Sequence, residues 1–420
     1  MRTQTLNILR CPYCGGRLEV VSSLYHRIEA DEIADAVLGC HCCIFPVISG
    51  IPVLHLEGAA RPALEHLKAG QPDLARRTML NLDDDALATR FDEVSASASA
   101  TYRDLVDALG PNFEGGYFLY RFSDPTYIVA HAVVRAVAGT VLADGGRAVD
   151  ICGGSGHLTR ALLDLSSAPP VLADLYFSKI WLARRFTAPG CEAVCCDGNS
   201  PMPFARGAFR YAMCSDAFQY IWTKRQFVGE MLRLIDDGGG RGAAVIGHTH
   251  NQRTWSPSQG QPLAPEGYRD LFETLEPRIF GEAGLFADVV SGGPLDLSRQ
   301  DSPQTLDADP ALTIVASRHP GVYRPHRLNE LDGQPARGVF RLNPLYVVER
   351  GPDGARLRLR FPSADYEDEY GACRQYLPDE VTIGAAALEA LEAHPAGRLA
   401  GELAGLARRR VVLDLPRLYY

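Results

Sequence analysis

At 420 residues, with 46% hydrophobic and 22% charged residues and a formal net charge of −9, the chain is long enough for two or three domains with cores of their own, which excludes a disordered or fibrous protein. The acidic balance argues against a broad phosphate-neutralising surface, so nucleic acid is disfavoured as a partner, and Arg408-Arg409-Arg410 reads as a solvated helix end. No run reaches the roughly 18 apolar residues of a membrane span, and the N-terminus lacks the charged-then-apolar layout of a secretory signal, so a cytoplasmic protein with no membrane association is expected.

Eleven cysteines, an odd number, point to thiols and metal ligands rather than to a disulfide framework. Five of them are clustered near the N-terminus. Cys11-Pro12-Tyr13-Cys14 is followed, after 25 residues, by Cys40-His41-Cys42-Cys43. Each CxxC turn aims two thiolates at one point, and two such turns supply the tetrahedral sulfur set that zinc prefers. Cys11, Cys14, Cys40 and Cys43 are therefore the expected zinc ligands, with His41 and Cys42 as substitutes. A redox CxxC would sit at a helix start within a βαβ unit, whereas both pairs here adjoin strand-like runs. The closing stretch Ile44-Phe-Pro-Val-Ile-Ser-Gly-Ile-Pro-Val-Leu54 is similar to the end of the zinc-ribbon domains that accompany or activate methyltransferases of tRNA, rRNA and release factors. That resemblance implies a closed, structural zinc site over a first domain, residues 1–56.

Residues 57–125 read as a helical connector, interrupted at Gly70-Gln-Pro72 and at residues 95–100, and ending in an aromatic cluster over residues 117–122. Such a cluster covers a cofactor pocket or packs in the core. Asp124-Pro125 then opens a helix through about residue 137 by the cap-then-proline rule.

From residue 147 the pattern becomes a parallel βαβ series. Arg147-Ala-Val-Asp-Ile151 is a short apolar strand running into Cys152-Gly153-Gly154-Ser155-Gly156-His157, which opens a helix. Glycines there permit close backbone approach, and the helix start offers free N–H groups to a polar ligand. A second strand ends in Asp174, 24 residues beyond Asp150, and a third ends in Asp197 before a proline-rich turn. A carboxylate at a second strand end can hold ribose hydroxyls. A fourth strand ends near Ser215-Asp216, a helix runs to Leu234, and residues 242–247 form a fifth strand. Residues 286–290 and 312–316 read as the sixth and seventh strands. A nicotinamide reading is poorer, because the dinucleotide pattern wants a glycine where Thr159 stands.

Residues 146–250 resemble the class I S-adenosylmethionine-dependent methyltransferases. The family's acid-x-Gly-x-Gly-x-Gly motif falls on Asp150, Cys152, Gly154 and Gly156, with Cys152 where glycine is usual and Gly153 beside it. The resemblance implies an α/β, Rossmann-like core with a mixed seven-stranded sheet over residues 126–318, S-adenosylmethionine as cofactor, and a C-terminal α+β extension over residues 319–420. It further implies that Asp150, Gly153, Gly154 and Gly156 shape the cofactor loop. Asp174 with Leu175 would bind the ribose, Asp197, Gly198 and Asn199 the adenine, and Ser215 the methionine side.

Gly247-His248-Thr249-His250-Asn251 follows the fifth strand, at the edge where open α/β sheets bind ligands. Histidine titrates near neutrality and suits a general base, so His250 and then His248 are the candidate catalytic residues. At i and i+2 on an extended chain both fall on one face, so they could instead bind a metal or orient substrate. Asp216, Tyr220 and Trp222 are the expected substrate walls, and residues 257–266 a lid. Methyltransferases of adenine or glutamine amides usually carry an Asn/Asp-Pro-Pro-aromatic tetrad where Ser215-Asp216-Ala217-Phe218 stands here. Its absence, with the acidic charge, favours an oxygen or carbon acceptor on a small metabolite, and a homodimer is allowed for. Sugar C-methyltransferases are similar in module order. The rival readings are an RNA or translation-factor methyltransferase that uses the ribbon for recognition, and a non-catalytic cofactor-binding scaffold for protein partners.

Overall fold

A computed structural model of the chain describes residues 1–110, 113, 115–236, 238–256, 260–327 and 338–420. A seven-stranded sheet lies at the centre: β1 (Ala148–Ile151), β2 (Val171–Asp174), β3 (Glu192–Cys195), β4 (Tyr211–Ser215), β5 (Ala243–His250), β6 (Arg278–Gly281) and β7 (Ala311–Ser317), in the order β6-β7-β5-β4-β1-β2-β3. β1 to β5 are parallel, and β7 runs antiparallel to β5 and β6. The strands are near-continuous Val, Ala, Ile and Leu runs buried on both faces, as helix-covered parallel strands must be. This is the mixed Rossmann-like sheet implied by the class I resemblance. The chain builds β1-β2-β3 in one direction and then returns to lay β4 and β5 on the other side of β1. A crevice therefore opens at the carboxyl ends of β1 and β4.

One strand was misplaced in the sequence reading. Residues 286–290 lie in the helix Glu282–Ser291, and the sixth strand is Arg278–Gly281. The Val289-Val290 pair has strand propensity, but Leu285, Phe286 and Val289 fall at helical spacing, and Gly292 ends the helix with φ of 66°. A short apolar run cannot be told apart by pattern alone, and packing decides it. The expected lid falls partly outside the described residues, at 257–259; within the rest of it, Pro265–Arg269 begins a short helix.

The connector forms four helices, Ala60–Lys68, Pro72–Met79, Asp85–Ala96 and Tyr102–Leu109, with breaks at the two expected places and a further one over residues 80–84. Asp124 caps Pro125–Val141, its Oδ1 accepting the Tyr127 N–H at 2.6 Å. The N-terminal strands make an antiparallel sheet around Glu32–Gly39. Its exit pairs with the main sheet: Val53 bridges Cys195 in parallel, and the Leu54 N–H donates to the Cys195 carbonyl at 2.7 Å. The ribbon thus covers the otherwise open edge of β3. Leu9, Phe45 and Leu54 share one core with Val149, Val171 and Val194.

The C-terminal region pairs Val339–Leu342 with Val412–Leu415 and adds a three-stranded sheet, Tyr346–Gly351, Gly354–Leu359 and Glu380–Gly384, over its own core. Its last residues return to the connector, where the Tyr102 N–H donates to the Leu418 carbonyl at 2.7 Å. Tyr419 is fully buried, stacked on Tyr102 at 4.8 Å and edge-on to Phe122 at 5.2 Å. Its hydroxyl donates to the Phe118 carbonyl at 2.5 Å and lies 2.6 Å from His157 Nε2. Among the described residues no helix is long and apolar enough to cross a membrane.

Tyr419 ties the chain end to the cofactor loop, so truncation should be felt globally. Tyr419→Ala is expected to destabilise the protein by about 3–5 kcal/mol, and Tyr419→Phe by about 1–3 kcal/mol through the unpaired His157 nitrogen and Phe118 carbonyl. Urea unfolding of the two variants checks this; midpoints equal to wild type would show that the tail does not contribute.

Candidate functional site

At the end of β1 the chain must turn sharply beneath any ligand in the crevice. Gly154 and Gly156 take positive φ, 53° and 74°, and a Cβ on Gly153 would lie 2.5 Å from Leu172 and 2.6 Å from the Asp150 carboxyl group. Cys152 adopts φ of 59° without being glycine, at a strain of roughly 1–2 kcal/mol. Its sulfur lies under Gly198, 3.2 Å from where a Cβ would stand. Asp150 is buried and accepts from Thr159 Oγ1 at 2.6 Å; burial raises its pKa to about 7. Asp174 accepts the Gly154 N–H and the Tyr176 N–H, each at 2.9 Å, which locks the glycine loop to the end of β2. Burial raises the Asp174 pKa, opposed by those N–H groups and by Lys179.

Asp197, half-buried at the end of β3, accepts the Asn199 N–H at 2.9 Å and Asn199 Nδ2 at 3.2 Å, while Asn199 Oδ1 accepts the Trp222 N–H at 2.7 Å. Asn199 thereby joins the loops after β3 and β4. Ser215 Oγ, at the end of β4 beside Gly247, is buried without a hydrogen-bond partner, an arrangement that calls for a ligand or water. The 3-10 segment Gly116–Ser123 lies over the loop, with the Phe118 ring 3.1 Å from the Cβ position of Gly154 and stacked on His157 at 5.5 Å. The aromatic cluster therefore packs on the glycine loop, with Phe118 and Phe122 in the buried core. A glycine cradle, carboxylates on adjacent strand ends and an orphan hydroxyl fit a ligand with a ribose, an amino-bearing ring and a charged tail.

Both candidate histidines lie inside β5 rather than beyond it. Ile246 faces Ile314 but Thr249 faces Leu312, so β5 carries one extra residue in a bulge, and His248 sits there at φ of 47°. Bulges re-aim side chains next to active sites. Glu282, buried at the start of its helix, accepts the His248 N–H at 2.8 Å, lies 2.6 Å from His248 Nδ1, and accepts from Thr313 Oγ1 at 2.7 Å. Burial opposes charge on His248, but the Glu282 carboxylate and its hydrogen bond outweigh it and raise the pKa to about 9. The His250 pKa is lowered, by burial first and by His248 second. The Ser256 hydroxyl lies 3.2 Å from His250 Nδ1. Asp216, at φ of 56°, completes the group: one nitrogen from each histidine and one Asp216 oxygen all lie within 4.8 Å of one another. The Arg121 guanidinium donates to Asp216 Oδ2 at 3.0 Å and to Asp124 Oδ2 at 3.3 Å.

In the ribbon the sulfurs of Cys11, Cys14, Cys40 and Cys42 converge. Cys11 and Cys42 are 3.7 Å apart, Cys14 and Cys40 3.7 Å, and Cys40 and Cys42 3.6 Å. A tetrahedron with zinc–sulfur bonds of about 2.3 Å has edges of about 3.8 Å, so the spacing fits zinc. The expected set contained Cys43. Its carbonyl accepts the Cys40 N–H at 3.0 Å and its side chain packs on the core, leaving Cys42 as the fourth converging sulfur, with Cys43 Sγ 3.3 Å behind it.

Residues 148–239 match the model of the methyltransferase domain family, which spans β1 to the end of the helix after β4. The chain is an S-adenosylmethionine-dependent methyltransferase. A second match concerns 63 residues, 15% of the chain, which are 43% identical to a UPF0434 protein of Bordetella avium and cover 82% of it. Over that stretch the chain belongs with the UPF0434 proteins. Among solved structures, geranyl diphosphate C-methyltransferase from Streptomyces coelicolor is 15% identical over 41% of this chain and 69% of its own, with a TM-score of 0.32. The YcgJ protein from Bacillus subtilis is 13% identical over 41% and 91%, with a TM-score of 0.30. A chain from the complex between the Haloferax volcanii Trm112 methyltransferase activator and a methyltransferase is 16% identical over 43% and 88%, with a TM-score of 0.32.

The fold gathers most of the sequence-selected residues at the carboxyl edge of the sheet: Asp150, Gly153, Gly154 and Gly156 form the turn, Asp174 and Ser215 end β2 and β4, Asp197 follows β3 by two residues, and Gly198 roofs Cys152. Leu175 points outward and is 43% exposed. Sequence reasoning missed Arg121, Glu282 and Tyr419. Arg121 lay inside a cluster read only for its aromatics, and Glu282 stood before the misplaced strand.

The structural zinc site of this methyltransferase gives a direct check on its ligands. Cys42→Ser is expected to lower bound zinc well below one equivalent, as are Cys11→Ser and Cys40→Ser, whereas Cys43→Ser should retain it. Metal analysis of the purified variants decides between the two cysteines; full zinc in Cys42→Ser with loss in Cys43→Ser would restore the set expected from the knuckle spacing.

Proposed function

We propose that the enzyme methylates an oxygen or carbon of a small metabolite, with the acceptor held at the Asp216, His248 and His250 cluster. The observation that carries this reading is the position of that cluster, at the carboxyl ends of β4 and β5 and immediately beside the unpartnered Ser215 hydroxyl. When bound, S-adenosylmethionine supplies an electrophilic methyl group on a sulfonium. The protein's own task is then to hold both partners in line and to remove one proton from the acceptor.

In this reading the cofactor loop, Asp174 and Leu175 hold the ribose end, Asp197, Gly198 and Asn199 the adenine end, and Ser215 the methionine end. His250 faces the acceptor from the end of β5 with its Nδ1 against the Ser256 hydroxyl, and Glu282 holds His248 beside it. Exposed Tyr176, Tyr220, Trp222 and Trp255 rim the same edge of the sheet, which suits an acceptor with an apolar body. The net charge of −9 is unfavourable for RNA. The functional division follows: ribbon at 1–56, cover at 57–125, cofactor-binding core at 126–318, and an extension at 319–420 that pins the cover through Tyr419.

His250→Ala is expected to lower turnover by about 100-fold or more while affinity for S-adenosylmethionine stays within a few fold. The acceptor class is read by incubating the protein with methyl-labelled cofactor and a fractionated cell extract. Label in small molecules, lost in the variant, supports the proposal. Label only in RNA or protein, or an unaltered maximal rate in His250→Ala, contradicts it.

A further inference from the structure

We infer that the Asp216, His248 and His250 cluster is a binding site for a divalent first-row transition metal ion, separate from the zinc of the ribbon. The argument rests on geometry. Two imidazole nitrogens and one carboxylate oxygen lie within 4.8 Å of one another, close enough that small side-chain shifts bring all three onto one ion at about 2.0–2.2 Å. Two histidines and one carboxylate on one side of an ion are the donor set of open mononuclear sites, which leave positions for an exogenous ligand.

The surroundings are those of a metal site. Metal-bound histidines fix their second ring nitrogen on a carboxylate or hydroxyl. His248 Nδ1 is fixed on Glu282, itself held by Thr313 and the His248 N–H, which leaves Nε2 as the ligand atom. His250 Nδ1 lies against the Ser256 hydroxyl, which likewise leaves Nε2. Asp216 is oriented by Arg121 and by Gln219 Nε2 at 3.4 Å. Backbone strain marks the same residues: Asp216 and His248 are two of the eight described non-glycine residues at positive φ, and both belong to the cluster. Strain of order 1–3 kcal/mol at each persists where the surroundings impose it.

The inference deepens the preceding reading and rests on it for the identity of the acceptor: an oxygen acceptor would occupy an open position on the ion. One acceptor oxygen coordinates the ion and gives its proton to solvent water. Its lone pair then forms the bond to the methyl carbon while the carbon–sulfur bond breaks, with its electron pair going to sulfur. The products are the methylated oxygen and S-adenosylhomocysteine, and nothing is oxidised or reduced. In this arrangement His250 is a ligand, and the ion rather than the imidazole makes the acceptor acidic.

The test is a titration of the full, zinc-loaded chain with Co2+, followed by calorimetry and by visible absorption. One further equivalent is expected to bind, with the weak bands of nitrogen and oxygen ligation and without intense thiolate charge transfer. His250→Gln and Asp216→Asn should each weaken Co2+ binding by about 10-fold or more, and Glu282→Gln, a positioning variant, by about 10–100-fold. S-adenosylmethionine affinity serves as the check that each variant is folded. No binding beyond the ribbon zinc, or binding that His250→Gln and Asp216→Asn leave unchanged, overturns the inference. If Co2+ fails to bind but small molecules are still labelled in a His250-dependent way, the metal inference falls and the functional reading stands. If Co2+ binds as expected but label enters only RNA or protein, the functional reading falls and the metal site stands.

Discussion

A guanidinium buried between two carboxylates connects the cover to the acceptor edge. Arg121 is 7% exposed, and a cation removed from water that far is tolerated only when it is paired and hydrogen-bonded. Burial opposes its charge, and Asp124 and Asp216 together restore it, holding the group firmly protonated. Asp124 caps the helix Pro125–Val141, Asp216 ends the turn after β4, and Arg121 belongs to the 3-10 cover whose Phe118 lies on Gly154. One side chain therefore sets the spacing between the cover, the helix behind the sheet and the cluster where the acceptor is read to bind. Removing it would leave the buried Asp124 and half-buried Asp216 carboxylates without their shared cation.

Around that tie, the two flanking regions act on opposite ends of the crevice. The ribbon shares a core with the sheet and pairs with the outermost parallel strand, so its zinc stabilises the edge that carries Asp197. The C-terminal region works from the other side, through Tyr419 on His157 and the Arg160–Asp414 ion pair at 2.9 Å. The glycine loop itself is held by Asp174 from β2 and by Tyr419 through His157. This explains why a loop with cysteine in place of glycine keeps its shape: Cys152 donates its N–H to the Ala173 carbonyl at 2.7 Å, and Asp174 holds Gly154 from the next strand.

The parallel strands and their terminal acids were legible because they are local: an apolar run, a turn and a carboxylate lie within a few residues of one another. The connector breaks were legible for the same reason. What escaped depends on contacts between residues far apart in the sequence. Glu282 meets His248 34 residues away, Arg121 meets Asp216 95 away, and Tyr419 meets His157 262 away. The sixth strand escaped because Val289-Val290 favours a strand locally while tertiary packing makes a helix. Cys42 is legible only as a substitute ligand, because knuckle spacing fixes how far apart two cysteines are but not which way each side chain turns as the next strand begins. His248 and His250 are legible as a pair at the fifth strand, yet the bulge that lifts His248 toward Glu282 is a matter of register and leaves no trace in the spacing.

The central claim is that cofactor and acceptor meet between the ends of β1, β4 and β5. The most direct measurement is a crystal structure of the protein with S-adenosylhomocysteine bound. The account predicts the ribose on Asp174, the adenine beside Asp197 and Gly198, and the sulfur turned toward the space bounded by Asp216, His248 and His250. A product bound in the crevice with its sulfur directed away from those three residues, or bound elsewhere on the chain, would contradict it.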